Sequence, residues 1–216
     1  MIGRRVAILI SGRGSNMASL IAASCQPDYP AEIALVVSNR PDAGGLSLAR
    51  QAGVPVAVVD HREFGGDREA HEQAIQAVLR EAGAELVCLA GYMRLLTPFL
   101  VERWAGRMLN VHPSLLPAFP GLHTHTRALA AGVKLHGCTV HLVTQSTDEG
   151  PILAQAAVPV LPGDTEEVLA ARVLAQEHVI YPMALRLLAG GAEDAVRGAE
   201  AGAALVNPLP GAMPLK

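Results

Sequence analysis

"VAILISGRGSNMASLI" (residues 6–21) runs from an apolar stretch, through a turn with two glycines, into the start of a helix. Val6–Ile10 is apolar at every position rather than at alternate ones, the pattern of a strand covered on both faces. Asn16–Ala23 has helical composition. A strand that passes through a short turn into a helix opens a βαβ unit, and right-handed crossovers of this kind build parallel sheets.

The same grammar recurs downstream. "IALVV" (33–37), "VAVVD" (56–60), "LVCLA" (86–90) and "RMLNV" (107–111) read as further strands. Gly45–Ala52, Asp67–Ala82 and Thr97–Trp104 read as the helices between them. The expected fold is α/β, a Rossmann-like, mostly parallel sheet with helices on both faces.

After residue 111 the pattern changes. "LNVHPSLLPAFPGLHTH" (109–125) is stiffened by Pro113, Pro117 and Pro120 and is too broken to be one element. "CTVHLVT" (138–144) and "ILAQAAVPV" (152–160) then read as an antiparallel pair added to the sheet, joined by the turn-rich "QSTDEGP". A long helix is expected to open with Asp164 or Thr165 as N-cap and acidic residues in its first turn. Gly190–Gly191 can end it, and Pro182 is expected to kink it or split it in two. The organisation expected is one domain over 1–191, with an N-terminal half to about 105 and a C-terminal half from about 106 to 191. A small, Gly- and Pro-rich tail over 192–216 reads as loosely attached.

The formal net charge of −3 gives no general reason to bind nucleic acid or an anionic membrane. No apolar run approaches the roughly 20 residues that span a bilayer. Met1–Val6 leads directly into a strand and lacks the apolar region of a signal peptide. Cys25, Cys88 and Cys138 are odd in number and far apart, which fits a reduced, cytoplasmic compartment.

Two loops carry chemistry. Ser11-Gly12-Arg13-Gly14-Ser15-Asn16 lies between the first strand and helix, where glycines allow a close backbone approach and free helix N-terminal amides suit a phosphate. Met17 stands where a dinucleotide fingerprint has its third glycine, and no Lys follows as in a P-loop. A small phosphate monoester held by Gly14, Ser15 and Asn16 is the better reading; a merely capped βα turn is the alternative.

Asn110 and His112 sit at the C-terminal end of a parallel strand, where open α/β sheets place their ligands, and their spacing of two points them the same way. Asp148, in the later turn, can meet them. An Asn amide and an imidazolium stabilise the oxyanion of an attacked carbonyl, and a carboxylate beside the His holds its tautomer and favours its charge. No nearby serine has a nucleophile-elbow context, so the nucleophile belongs to a substrate. His123, His125, His136 and His141 raise the question of a metal, but no HExxH or facial-triad spacing accompanies them. These histidines are expected to order the loop through hydrogen bonds, with no metal bound.

"ISGRGSNM", "VVSNRPDAGGLSLARQAGVP", "LAGYMRLL", "LNVHPSLLPAFPGLHTH", "HGCTVHLVT", "DEGPILAQA" and "QEHVIYP" resemble, in order and spacing, the phosphoribosylglycinamide formyltransferase family over about residues 6–190. The resemblance implies the formyltransferase fold and transfer of a formyl group from 10-formyltetrahydrofolate, as cosubstrate, to the glycinamide amine in purine biosynthesis, without a metal. It implies Gly14, Ser15 and Asn16 as phosphate-binding and Asn110, His112 and Asp148 as the catalytic trio. Arg68 and Met93, Arg94, Leu95 and Leu96 would bind folate, together with Asn110, and Glu177 would help hold the glycinamide substrate. The partners implied are small molecules, with no nucleic acid or membrane, for a monomer or homodimer. Methionyl-tRNA formyltransferase shares the "N-x-H…SLLP" core but adds a C-terminal domain for tRNA, and formyltetrahydrofolate deformylase adds an N-terminal regulatory domain. A phosphate-ligand binding protein without catalysis is the reading outside the enzyme class.

Overall fold

The apolar run at 6–10 lies in β1 (Arg4–Ile10), which leads through the glycine turn into α1 (Ser15–Ser24). The structure is a computed structural model and describes residues 3–200 and 205–207. β2 (Ala31–Ser38), α2 (Gly45–Gln51) and β3 (Val56–Val58) follow, then a short 3-10 helix (His61–Phe64) and α3 (Arg68–Glu81). β4 (Leu86–Leu89), α4 (Pro98–Arg103) and β5 (Met108–His112) complete the parallel part of the sheet. α5 (Thr124–Ala130) precedes β6 (Leu135–Leu142) and β7 (Ile152–Pro159), and α6 (Glu166–Gly190), α7 (Ala192–Glu200) and β8 (Leu205–Val206) end the described chain.

The sheet order is β3-β2-β1-β4-β5-β6-β7-β8. β1 to β5 run parallel, β6 is antiparallel to both β5 and β7, and β8 is parallel to β7. The chain winds outward from β1 to β3, then returns and winds the other way from β4. The ends of β1 and β4 therefore flank a crevice, the place where doubly wound sheets bind ligands.

Apolar side chains alternate between two cores. Val6, Ile8, Ile10, Leu109, Val111 and Val140 face α1, α2 and α6. Ala7, Leu9, Val37, Leu89 and Met108 face α3 and α4, whose Ile75, Leu79, Leu100 and Trp104 complete that side. Helix starts follow their caps: the Asp67 carboxylate accepts from the Ala70 N–H, and the Thr165 hydroxyl from Val168 N–H. β3 is shorter than expected because Asp60 leaves the sheet to cap the 3-10 helix, accepting from the Arg62 N–H.

Of the two outcomes expected at Pro182, the split does not occur: α6 is one helix of 25 residues. A proline costs a helix interior about 3 kcal/mol, but Ile180, Tyr181, Ala184, Leu185 and Leu188 around it are fully buried, and that packing holds the helix together. The first part of the tail holds two described elements. α7 buries Ala195 and Ala199, and β8 pairs with the edge of β7. Asn207 continues that edge, its N–H donating to the Gln155 carbonyl at 2.8 Å and its Oδ1 accepting from the Ala157 N–H at 2.7 Å. A sheet edge with unpaired backbone groups recruits such a segment whatever its weak pattern. Residues 201–204 and 208–216 of that tail lie outside the described residues.

α6 is pinned to the sheet by a fully buried phenol. The Tyr181 hydroxyl lies 3.1 Å from the Leu89 carbonyl and 3.2 Å from that of Leu109, spanning β4 and β5 just below the crevice. Tyr181→Phe is expected to lower stability by about 0.5–1.5 kcal/mol, the net worth of a buried hydrogen bond. Urea denaturation checks it, and an unchanged midpoint would mean that the hydroxyl is not bonded.

Candidate active site

The first loop forms the floor of the crevice. Gly14 is the N-cap of α1, at φ 80°, and no side chain caps the helix. The amides of the first helical turn are therefore free for an anion. The glycine is sterically required: a Cβ at Gly14 would stand 2.8 Å from the Gly45 Cα. A Cβ at Gly12 meets nothing within 4 Å. A pocket of about 540 Å³ opens here, lined by Ser11–Asn16, by Gly91, Met93 and Arg94 after β4, and by Asn39, Arg40 and His61.

Ser11 ties the two loops together. Its hydroxyl donates to Asn39 Oδ1 at 2.6 Å and accepts the Met93 N–H at 2.8 Å. The far end of the second loop is held by buried Glu72, whose carboxylate accepts the Thr97 N–H at 2.7 Å. Between these anchors Met93 is 73% exposed and Leu95 is exposed too, whereas Leu96 packs on the lower core. Arg68 stands exposed in the first turn of α3 and does not line the pocket.

Asn16 reaches across to α6, where its Nδ2 donates to Glu177 Oε2 at 2.6 Å. Burial raises the Glu177 pKa above the usual carboxylate value, and the Asn16 hydrogen bond opposes that shift without cancelling it. The phosphate-loop and glycinamide assignments, separate in sequence, thus share one hydrogen bond.

The trio lies one strand further on. Leu89 on β4 pairs with Asn110 on β5, so the trio borders the crevice without lining the pocket itself. His112 Nδ1 is 3.4 Å from Asp148 Oδ2, both side chains being buried, and its Nε2 lies 3.0 Å from the Phe119 carbonyl. Both ring nitrogens face oxygens, an arrangement that suits an imidazolium, which can donate at both. Asp148 is held in a left-handed turn at φ 60°, and its Oδ2 accepts the Gly121 N–H at 2.8 Å.

His141 sits opposite Asn110 across the β5–β6 pair, with its Nε2 3.2 Å from Asn110 Nδ2. Its Nδ1 is 2.9 Å from the Leu142 carbonyl. Burial lowers its pKa, outweighing the Leu142 carbonyl and Asp148, which raise it. A neutral ring that donates from Nδ1 must accept at Nε2, and this turns the Asn110 amide so that one N–H points at His141 and the second is left over from that contact. In the sequence His141 stands only among the histidines weighed for a metal and expected to order the loop through hydrogen bonds, not as a partner of Asn110. The readable signal was Thr139 and His141 alternating along an otherwise apolar strand; their partner strand was not readable.

Of the other histidines weighed for a metal, His123 is exposed, whereas His125 and His136 meet each other. His123 begins α5 in a left-handed conformation at φ 56°. His136 Nε2 lies 3.2 Å from His125 Nδ1, and Phe119 meets the His136 ring edge-on at 5.9 Å. Among the described residues no group of three or more His, Cys, Asp and Glu is placed to hold a metal, and no helix is long and apolar enough to cross a membrane.

The His125–His136 contact has an acid limit. Burial, and next the neighbouring His125, push the His136 pKa down from 6.5 to about 4. The unfolded or undocked ring takes a proton first, so the docking is fully stabilising above pH 6.5 and is lost as pH falls toward 4. In an NMR titration the His136 ring should remain neutral at pH 5.5. A midpoint near 6.5 would mean that the ring is not docked in solution.

The sequence profile of the family described as formyl transferase matches residues 4–185. The chain belongs to the formyl transferase family. Phosphoribosylglycinamide formyltransferase of Escherichia coli is 44% identical to this formyl transferase over 186 residues, which cover 86% of this chain and 87% of that protein. The trifunctional purine biosynthetic protein adenosine-3 of Gallus gallus is 48% identical over 188 residues, 87% of this chain. The chain spans only about a fifth of that relative's length, 19%. Among solved structures, phosphoribosylglycinamide formyltransferase from Brucella melitensis superposes with a TM-score of 0.83 at 58% identity, covering 88% of this chain and 97% of that one.

Proposed function

We propose that this formyl transferase moves a formyl group from 10-formyltetrahydrofolate to the amine of 5'-phosphoribosylglycinamide, in de novo purine biosynthesis. The observation that carries the reading is an uncapped, anion-ready helix N-terminus after β1 and the Asn110–His112–Asp148 group at the end of β5, with only β4 between them in the sheet. The likeness to relatives bearing that enzyme's name supports it.

The amides around Gly14, Ser15 and Asn16 hold the phosphate, and Glu177, through its bond to Asn16, sets the glycinamide end of the same substrate. Met93–Leu96 provide the bed for the folate, and Arg68 is an exposed cation suited to its anionic end. The uncharged amine attacks the formyl carbon, and the oxyanion forms against the second Asn110 N–H and the His112 ring. Asp148 orients that ring and balances its charge. As the carbon–nitrogen bond to the folate breaks, the folate nitrogen takes a proton, from His112 or through water, and the former amine gives one up.

A turnover assay with both substrates tests the reading. Formation of N-formylglycinamide ribonucleotide with release of tetrahydrofolate is the expected result. Release of formate from the donor alone, with the amine ignored, would replace it by a hydrolase.

A further inference from the structure

The sheet face that carries the trio is covered in two ways. Under α3 and α4 it is apolar, with Ala7, Leu9, Leu89 and Met108. Further along, the register aligns His112, Thr139 and Gln155 in one row across β5, β6 and β7. The segment after His112 folds over this row, its Ser114 and Leu116 meeting Thr139. A loop pressed against a sheet has backbone groups that water cannot reach, and side chains must meet them.

Thr139 and Gln155 do so. The Thr139 hydroxyl donates to the Ser114 carbonyl at 2.7 Å and accepts the Leu116 N–H at 3.0 Å. Gln155 Nε2 donates to the same hydroxyl at 3.0 Å and to the Leu116 carbonyl at 2.9 Å. The hydroxyl's donor and both lone pairs are used, as are both amide hydrogens. Thr139 and Ser114 are fully buried. Ser114 Oγ then donates to the Ala118 carbonyl at 2.6 Å, and the next residue, Phe119, provides the carbonyl that receives His112 Nε2. Phe119 holds φ 54°, a conformation an aromatic residue keeps only where its surroundings over-determine it.

We propose that Gln155 is a positioning residue for the formyl transfer: its amide locks the 113–119 loop, and the loop's Phe119 carbonyl locks the His112 ring. The inference rests on His112 being the active-site imidazole. Gln155→Leu keeps the bulk and removes both donors. Small misplacements of a reacting group are costly, so kcat should fall on the order of tenfold. The KM for glycinamide ribonucleotide should stay nearly constant, because the phosphate loop is at the end of β1. At fixed pH, amide hydrogen exchange should quicken at Leu116 and Ala118 while β1 and β4 keep their protection. Combined with Thr139→Val, the loss should be smaller than the product of the two single losses, since both act through one network. Unchanged kcat with unchanged loop exchange overturns the proposal, as does a kcat loss accompanied by faster exchange throughout the sheet. Wild-type protein inactive with both substrates would overturn the functional reading instead, and the exchange comparison alone would then decide whether Gln155 holds the loop.

Discussion

Asp148→Asn should lower kcat by about 10²–10⁴-fold, the usual worth of an acid–base group in place, with little change in fold or in affinity for glycinamide ribonucleotide. The substitution is informative because it preserves so much. Asn tolerates the left-handed φ of 60° as readily as Asp. Its amide oxygen can still accept the Gly121 N–H, so the loop remains tethered. What disappears is the charge 3.4 Å from His112 Nδ1. The amide oxygen that accepts the Gly121 N–H also stands where Oδ2 faced His112 Nδ1, so the contact survives without the negative charge that balances a charged ring. Steady-state kinetics, with calorimetry for the phosphorylated substrate, checks this. A kcat within a few-fold of wild type would show that the carboxylate is dispensable. A parallel loss of substrate affinity would locate the damage in the loop rather than in the charge.

Gly14→Val should weaken glycinamide ribonucleotide binding by roughly ten- to a hundred-fold, the equivalent of about 1.5–3 kcal/mol for a charge-assisted hydrogen bond. Two costs converge there. A β-branched residue at φ 80° is strained, and its Cβ would press on the Gly45 Cα at 2.8 Å, so the loop must shift and re-aim the α1 amides. Folate binding should be nearly unchanged, since Met93–Leu96 are anchored separately through Ser11 and Glu72. Gly12→Ala is the stability control, because a Cβ there has open space. Equal loss of both ligands would mean a folding defect and would remove the phosphate assignment from this loop.

The sequence by itself determined the fold class, because continuous apolar strand runs alternating with helical segments are local patterns that survive without tertiary knowledge. It also singled out the glycine turn before α1 and the Asn110–His112 pair, since a glycine turn before a helix, and two polar residues two apart at a strand end, carry their meaning in their spacing. The cap of α6 was legible to within one residue, as Asp164 or Thr165, for the same reason. Other features depended on what lies across the sheet. Pro182 stays helical because buried neighbours outweigh a local cost, and α7 and β8 are ordered by the edge of β7 rather than by their own weak pattern. The tertiary structure alone decided that His141 turns the Asn110 amide, that Asn16 and Glu177 share a hydrogen bond, and that Gln155 holds the loop which holds His112. Each of these joins residues from different elements, and the β5–β6–β7 register that aligns them is a property of pairing between strands, which no single strand's sequence contains.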